Sequence, residues 1–299
     1  MDKNENIKKR KLFIWSLIAA IFVACMGLFS FVFIHKYYET RKVDPKYSIL
    51  SLVQTGPKKE ALATRYFCEL LELSFDKPTN LYSLDLKWAK EKLLTSPVIE
   101  KVELKKIFPN TLFIDYTTRT PIAWLYDFEN VLIDKKGHLF PAHPFFSTKN
   151  LPQIYLGLNL EMENMNEEPL NSMEIKLAFS LLNCLKQLKE NYNFQIKRID
   201  VSQALAPSYG KRQIVLMLEH EKLIDHPKQK LFCIFPHILR LGVNDFSKQL
   251  GNYSVLLNKM MKDYEKQLFS KRYLKSPLKF SQRIIDLRME KVAFIDQAE

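Results

Sequence analysis

Residues 96–123 read SPVIEKVELKKIFPNTLFIDYTTRTPIA. Two alternating runs flank a tight turn. Val102 and Leu104 point one way, Glu103 and Lys105 the other; further on, Leu112, Ile114 and Tyr116 share a face opposite Phe113 and Asp115. A period of two is that of a strand with one buried face. Between the runs, Phe108-Pro109-Asn110-Thr111 is turn chemistry, because proline presets the second turn position and asparagine tolerates the third. The stretch is a β-hairpin whose apolar face needs a cover.

The preceding residues supply one. Tyr47–Gln54 forms a short strand, broken by Thr55-Gly56-Pro57. Glu60–Leu73 carries Leu62, Tyr66, Leu70 and Leu73 at helical spacing. After Pro78 and Asn80, Ser83 is placed to cap a second helix with the stripe Leu86, Ala89 and Leu93, which Pro97 stops. The order is strand, helix, helix, strand, strand, and two helices on one face of a small sheet bury both stripes.

Upstream, Met1–Lys11 ends in Lys8-Lys9-Arg10-Lys11, and Leu12–Ile34 is an uncharged apolar run of 23 residues. As a helix that run is about 34 Å long, enough for the roughly 30 Å hydrocarbon layer. The basic cluster before it favours a cytoplasmic N-terminus, though by a small margin, because Lys36, Arg41, Lys42 and Lys46 follow on the other side. The run is long for a signal peptide and lacks a small-x-small site at its end. Val23-Ala24-Cys25 faintly resembles a lipoprotein cleavage box, but the apolar run continues beyond it, so a retained anchor is expected.

Beyond Pro121, Ile122–Tyr126 and Asn130–Ile133 read as strands, Asp134–Gly137 as a turn with glycine available for positive φ, and His138–Phe140 as a return strand. Leu151–Leu156 is a further strand candidate, and acidic Glu161–Glu168 a loop. Asn171 or Ser172 caps a helix with Ile175, Ala178, Leu182, Leu185 and Leu188 inward. Strands follow at Ile196–Val201, Gln213–Leu218, Leu231–Phe235 and Ile238–Leu241, then a long amphipathic helix over Phe246–Leu268 with Leu250, Tyr253, Leu257, Met260 and Tyr264 inward. Arg283–Ile295 reads as a last strand or a tight hairpin. Ile224–Lys230, with Pro227, fits none of these elements.

Composition narrows the function. The 299 residues are 47% hydrophobic and 26% charged, a globular balance, and the net charge is +12. Only 7 glycines occur, with neither GxxxxGK[ST] nor GxGxxG, which argues against a nucleotide-cradling fold. The positive charges are scattered among apolar residues without an aromatic-basic motif, which argues against nucleic acid. Cys25, Cys68, Cys184 and Cys233 lie in apolar runs with no CxxC pair and read as inert thiols. His138 and His143 lack a Cys or carboxylate set and read as surface loop residues, so no metal or cofactor is expected. Ser208 and Cys233 as nucleophiles, and His220 and His237 as bases, lie in no elbow or triad context.

The motifs taken together resemble a family. Asn80-Leu81, Pro97–Val102, Phe108–Leu112, Arg119-Thr120-Pro121-Ile122-Ala123, Leu132-Ile133-Asp134 with Gly137, Leu241-Gly242 before a long helix, and Ile285-Asp286-Leu287-Arg288 follow in the order found in the bacterial cell-division proteins FtsQ and DivIB. The resemblance runs over almost the whole chain, including the single anchor. It implies an α+β protein: a cytoplasmic tail (1–11), a transmembrane helix (12–34), a linker (35–46), a POTRA domain of β-α-α-β-β order (47–118) and a mixed β-sheet domain with helices (119–296). It implies a non-enzymatic divisome scaffold in the inner membrane at the septum, with its bulk in the periplasm. Its partners would be FtsB- and FtsL-like proteins at a C-terminal edge strand, and other division proteins at the POTRA domain. Its role would be to help control septal peptidoglycan synthesis. The implied partner-binding residues are Arg283, Ile285, Asp286, Leu287, Arg288, Met289, Val292 and Phe294.

Physics makes such an edge plausible by itself, since an edge strand offers unpaired N–H and C=O groups to an added strand. Alternation puts Ile285, Leu287 and Met289 on one face and Asp286, Arg288 and Glu290 on the other, with Arg288 free to meet a partner carboxylate. Met289 stands where the family usually has an aromatic, and Thr118 where an acid precedes the arginine. Two other functions are open to such a chain. One is a membrane-anchored hydrolase. The other is a POTRA-type assembly or translocation factor, whose outer-membrane barrel strands are not evident in number here.

Overall fold

The structure is a computed structural model and describes residues 3–145, 147–158, 169–226, 229–269 and 276–297. The acidic loop expected at Glu161–Glu168 lies outside the described residues. The chain forms two compact units, 1–58 with 62–117, and 59–61 with 118–299. The fold is α+β.

The first unit opens with α1 (Lys3–Val43), which continues past the apolar run. After a 3-10 turn come β1 (Ser51–Thr55), α2 (Thr64–Leu70), α3 (Leu86–Leu94), β2 (Ile99–Ile107) and β3 (Thr111–Thr118). The sheet order is β1-β3-β2, with β1 parallel to β3 and Leu52 beside Leu112. The three residues joining β2 to β3 leave only an antiparallel hairpin. Val102, Leu112, Ile114 and Tyr116 are buried, as the alternation requires. The Phe108–Pro109 peptide in the turn is cis.

Both helices differ in detail from expectation. The first is shorter than Glu60–Leu73; within it Phe67 is buried rather than Tyr66 and Leu70, and Leu62 and Leu71 are buried just beyond its two ends. The wholly apolar Phe67 ring packs on Tyr116, centroids 4.8 Å apart, while the Tyr66 hydroxyl meets Ser96 Oγ at 2.6 Å. The second is capped by Asp85, whose carboxylate accepts from the Lys87 amide, while the Ser83 hydroxyl donates to Asn80 O. Ala89 and Leu93 are buried as predicted. Asn80 joins α1 to the unit, its amide donating to Arg41 O and Asp44 O at 3.0 Å each.

The second unit contains β4 (Pro121–Leu125), β5 (Val131–Asp134), β6 (Leu139–Pro141), β7 (Gln153–Tyr155), α4 (Met173–Asn191), β8 (Phe194–Asp200), β9 (Ile214–His226), β10 (Gln229–Leu241), α5 (Phe246–Phe269), β11 (Leu278–Lys279), β12 (Arg283–Asp286) and β13 (Phe294–Gln297). The sheet order is β13-β12-β10-β9-β8-β7-β4-β5-β6, with β11 also paired to β10. Ser172 caps α4, and Gly137 takes φ +90° in the β5–β6 turn. The helices α4 and α5 share one core with the sheet, built on Ile175, Leu182, Leu185, Leu250, Tyr253 and Leu257 against Ile199, Leu216, Leu218 and Leu239. Each such fully buried side chain is worth about 1.5–3 kcal/mol before entropy is charged.

Two segments expected as separate strands, Leu231–Phe235 and Ile238–Leu241, are one strand of 13 residues that runs through Pro236. The reason lies in the hydrogen-bond directions. Ile234 O accepts from Phe280 N and Arg240 O from Leu287 N, so even-numbered residues of β10 face β11 and β12. There β11 pairs Cys233–Ile234 and β12 pairs His237–Arg240. Pro236 faces the gap between them, where no donor is needed, and the ladder to β9 stays whole. Of the unplaced stretch Ile224–Lys230, Ile224–His226 end β9 and Gln229 and Lys230 open β10, His226 registered against Gln229; Pro227 lies outside the described residues.

Candidate docking edge

The C-terminal stretch is a hairpin. β12 runs parallel to β10, Ile285 beside Leu239, and β13 returns antiparallel to β12, Ile295 beside Ile285. Of the two readings of Arg283–Ile295, a last strand or a tight hairpin, the hairpin is the one present. β12 has its own chain on both sides, and the open margin belongs to β13, beyond which no strand lies among the described residues. The strand ends at Asp286, and Met289 falls in the turn, where Lys291 takes φ 62° without a glycine.

The expected site residues therefore divide. Ile285 and Leu287 are buried and hold the hairpin to the core. Arg283 also turns inward, its Nε buried and its guanidinium near Tyr264. Asp286 and Arg288 pair with each other: Arg288 Nη2 donates to Asp286 Oδ2 at 2.7 Å, Nε to Oδ1 at 3.0 Å, and the Arg288 amide to Oδ1 at 3.1 Å. Burial pushes the Asp286 carboxyl up, but the hydrogen bonds from Arg288 and the charges of Arg288 and Arg240 outweigh it and leave the carboxyl below its ordinary range. Asp286 raises the Arg288 pKa in turn. Arg288 is thus already committed to an internal carboxylate rather than left free for a partner. Met289, Val292 and Phe294 are exposed, Phe294 at 57%.

One residue outside that expectation belongs with them. Ile295 lies opposite Ile285 and so on the core-facing side of the hairpin, yet it is 42% exposed because nothing covers it laterally. Its backbone also points outward. The Leu287 amide bonds to Arg240 O, so residues 285 and 287 face β10 while 284 and 286 face β13. Their partners Asp296 and Phe294 face back, which leaves the N–H and C=O of Ile295 and Gln297 on the open side. The signal was present in sequence as the second apolar residue of Phe294-Ile295, but its orientation depended on the hairpin register. Beside the hairpin is a groove of about 390 Å³ between the first turns of α5 and the 287–293 turn, bridged by Lys248 and Glu290 at 3.0 Å.

Residues 70–115, from the end of α2 into β3, match the family model described as POTRA domain, FtsQ-type. The chain is also 27% identical over 132 residues to cell division protein DivIB of Clostridium acetobutylicum, a match covering 44% of this chain and 51% of that protein. Over these stretches the chain is similar to proteins of the FtsQ/DivIB type. It spans about half the length of the curated relative it matches. Two of the family-like motifs have a visible structural use. Arg119 meets Asp134 at 3.4 Å, and Asp134 also accepts from the amides of Lys136 and His138 at 2.8 and 2.9 Å, so a buried carboxylate organises the β5–β6 turn. Thr118, at the position usually acidic in FtsQ/DivIB proteins, is buried and donates to Glu60 O.

The candidate catalytic groups do not assemble. Ser208 is exposed at a 3-10 turn. Cys233 is buried, and burial raises its thiol pKa. The structure does bring His220 and His237 together, with the Tyr253 hydroxyl 2.6 Å from His220 Nε2 and 2.7 Å from His237 Nδ1. Burial lowers His220 to about 4, and burial with the charges of His220 and Arg283 lowers His237 to about 3. Both rings are buried, which holds them neutral, and the three groups form a hydrogen-bonded network within the core. His138 is half-buried and bonded to Asp134 at 3.1 Å, not a free loop residue. No group of three or more His, Cys, Asp or Glu that could hold a metal occurs among the described residues.

Proposed function

We propose that this chain is a non-catalytic cell-division scaffold, held in the cytoplasmic membrane by α1, that docks other single-pass division proteins of the FtsB and FtsL type at its C-terminal hairpin. The observation that carries this reading is the open margin of β13: outward N–H and C=O groups at Ile295 and Gln297, beside the exposed side chains Val292 and Phe294. A partner strand added there would satisfy the backbone and cover Ile295. In this reading Met289, Val292, Phe294 and Ile295 meet the partner. Arg283, Ile285, Leu287 and the Asp286–Arg288 pair hold the hairpin in place. Other division proteins meet the POTRA unit, and the assembly helps control septal peptidoglycan synthesis.

The similarity to division proteins and the apolar span of α1 support septal placement, with residues 1–11 in the cytoplasm and the chain from residue 47 onward outside. The test is co-purification of the full-length chain with FtsB- and FtsL-type proteins of the same cell, with a tagged copy imaged at division septa. Phe294→Asp is expected to abolish co-purification without loss of folded protein. Reporter fusions at the two ends settle orientation.

A further inference from the structure

The helix α1 outruns the apolar segment it carries. The uncharged run ends at Ile34, and the helix continues to Val43. That adds about 13 Å at 1.5 Å per residue. The headgroup layer beyond the hydrocarbon core is roughly 5–8 Å thick on each side. The last turns of α1 therefore cross that layer and emerge just beyond it.

An aromatic collar stands at this depth. The Tyr38 and Tyr82 rings are 5.8 Å apart, Tyr47 and Tyr82 4.9 Å, and Tyr82 and Phe108 4.8 Å. The Arg41 guanidinium lies 4.0 Å over the Tyr37 ring and 5.2 Å over Tyr47. Tyrosine combines an apolar body with a polar tip and collects at membrane–water interfaces for that reason. The charges beside the collar are unbalanced. Lys42 pairs with Glu39 at 2.7 Å, whereas Lys36, Arg41 and Lys46 have no carboxylate partner among the described residues. Asp44, the remaining acid, already accepts from the Lys46 amide at 2.9 Å.

Between the helix wall and the 44–47 turn is an open groove of about 420 Å³, lined by Phe33, Lys36, Thr40, Arg41, Asp44 and Tyr47. Its Phe33 end continues the exposed apolar flank of α1, and its other end carries the cations. Arg41 donates to the Tyr82 hydroxyl, but neither it nor Lys36 meets a carboxylate among the described residues, and an apolar wall running into such cations at headgroup depth matches one kind of molecule. We propose that this groove binds a membrane phospholipid, preferably an anionic one. Lys36 and Arg41 would meet its phosphodiester and Phe33 its glycerol and upper acyl carbons. The proposal rests on reading α1 as a membrane span, and it makes the collar a second, lipid-borne attachment of the first unit.

The test is native mass spectrometry of the detergent-solubilised full-length chain titrated with phosphatidylglycerol or phosphatidylcholine. Phosphatidylglycerol is expected to bind more tightly, with affinity falling about fivefold for Lys36→Gln and about 25-fold for Lys36→Gln with Arg41→Gln. Lys36 is exposed, so its substitution leaves the fold intact. Unchanged affinity in the Lys36 variant overturns the assignment. Displacement of the lipid by millimolar inorganic phosphate also overturns it, because the groove would then be a free-phosphate site. Vesicle flotation of the same chain separates the two failures: a chain that does not float loses the span reading itself, and one that floats but binds lipid without charge dependence loses only the groove.

Discussion

Replacing Ile295 by proline isolates the backbone contribution of the proposed docking margin. The Ile295 N–H points away from β12, so proline removes no bond from the hairpin, and its preceding residue Phe294 is already extended. Toward an added strand the loss is large. One N–H···O bond, worth about 0.5–1.5 kcal/mol, disappears, and the partner carbonyl is left unsatisfied at about 1–3 kcal/mol more. The sum is about 2–4 kcal/mol, or roughly 30- to 1,000-fold in Kd. Ile295→Ala keeps the donor and loses only part of one side chain's burial, about 1 kcal/mol or fivefold. The assay is titration of each variant, as full-length chain in nanodiscs, against an FtsB-type partner, with urea midpoints recorded in parallel. If Ile295→Pro binds within twofold of the parent at an unchanged midpoint, strand addition at β13 is refuted. If alanine weakens binding as much as proline, the interaction is a side-chain one.

Other consequences can be checked directly. Tyr253→Phe strips the shared hydroxyl from two buried imidazoles and is expected to lower stability by about 2–4 kcal/mol, read as a urea midpoint. Acid should destabilise the fold in a defined window. An unfolded histidine takes its proton near pH 6.5, while His220 and His237 resist until about 4 and about 3, so stability falls as pH drops from about 6.5 toward 4. A flat midpoint between pH 7 and 4.5 would refute the neutral, buried assignment. Gly137→Ala places a Cβ 2.3 Å from Leu170 O at φ +90° and should cost about 2 kcal/mol or more, whereas Gly210→Ala, with nothing within 4 Å, should be nearly silent.

Much of the architecture could be read from periodicity because burial was one-sided. The β2–β3 hairpin alternates cleanly, and Ser172 with its apolar stripe marks α4. What escaped was decided by partners distant in sequence. Pro236 reads as a strand breaker until the gap between β11 and β12 shows that its missing donor is unneeded. The His–Tyr–His network had a period-two signal, since His220 continues Leu216 and Leu218 while His237 continues Cys233 and Phe235. Histidine in those positions is ambiguous without knowing what covers the sheet. That the last strands lie at the end of the chain was legible, but which of them carries the open margin was not. A turn without glycine left the choice between strand and hairpin open, and the register decides that the backbone of Ile295, not that of Ile285, faces outward.

The parallel pairing of β12 with β10 also has a kinetic side. His237 must find Arg283 across the whole of α5, so this pairing closes one of the longer loops in the unit. Loop-closure entropy makes such contacts late ones. β13 can be laid down only on a finished β12. Recruitment through this margin would therefore wait for maturation of the entire sheet, so that a half-folded molecule offers its neighbours nothing to grip.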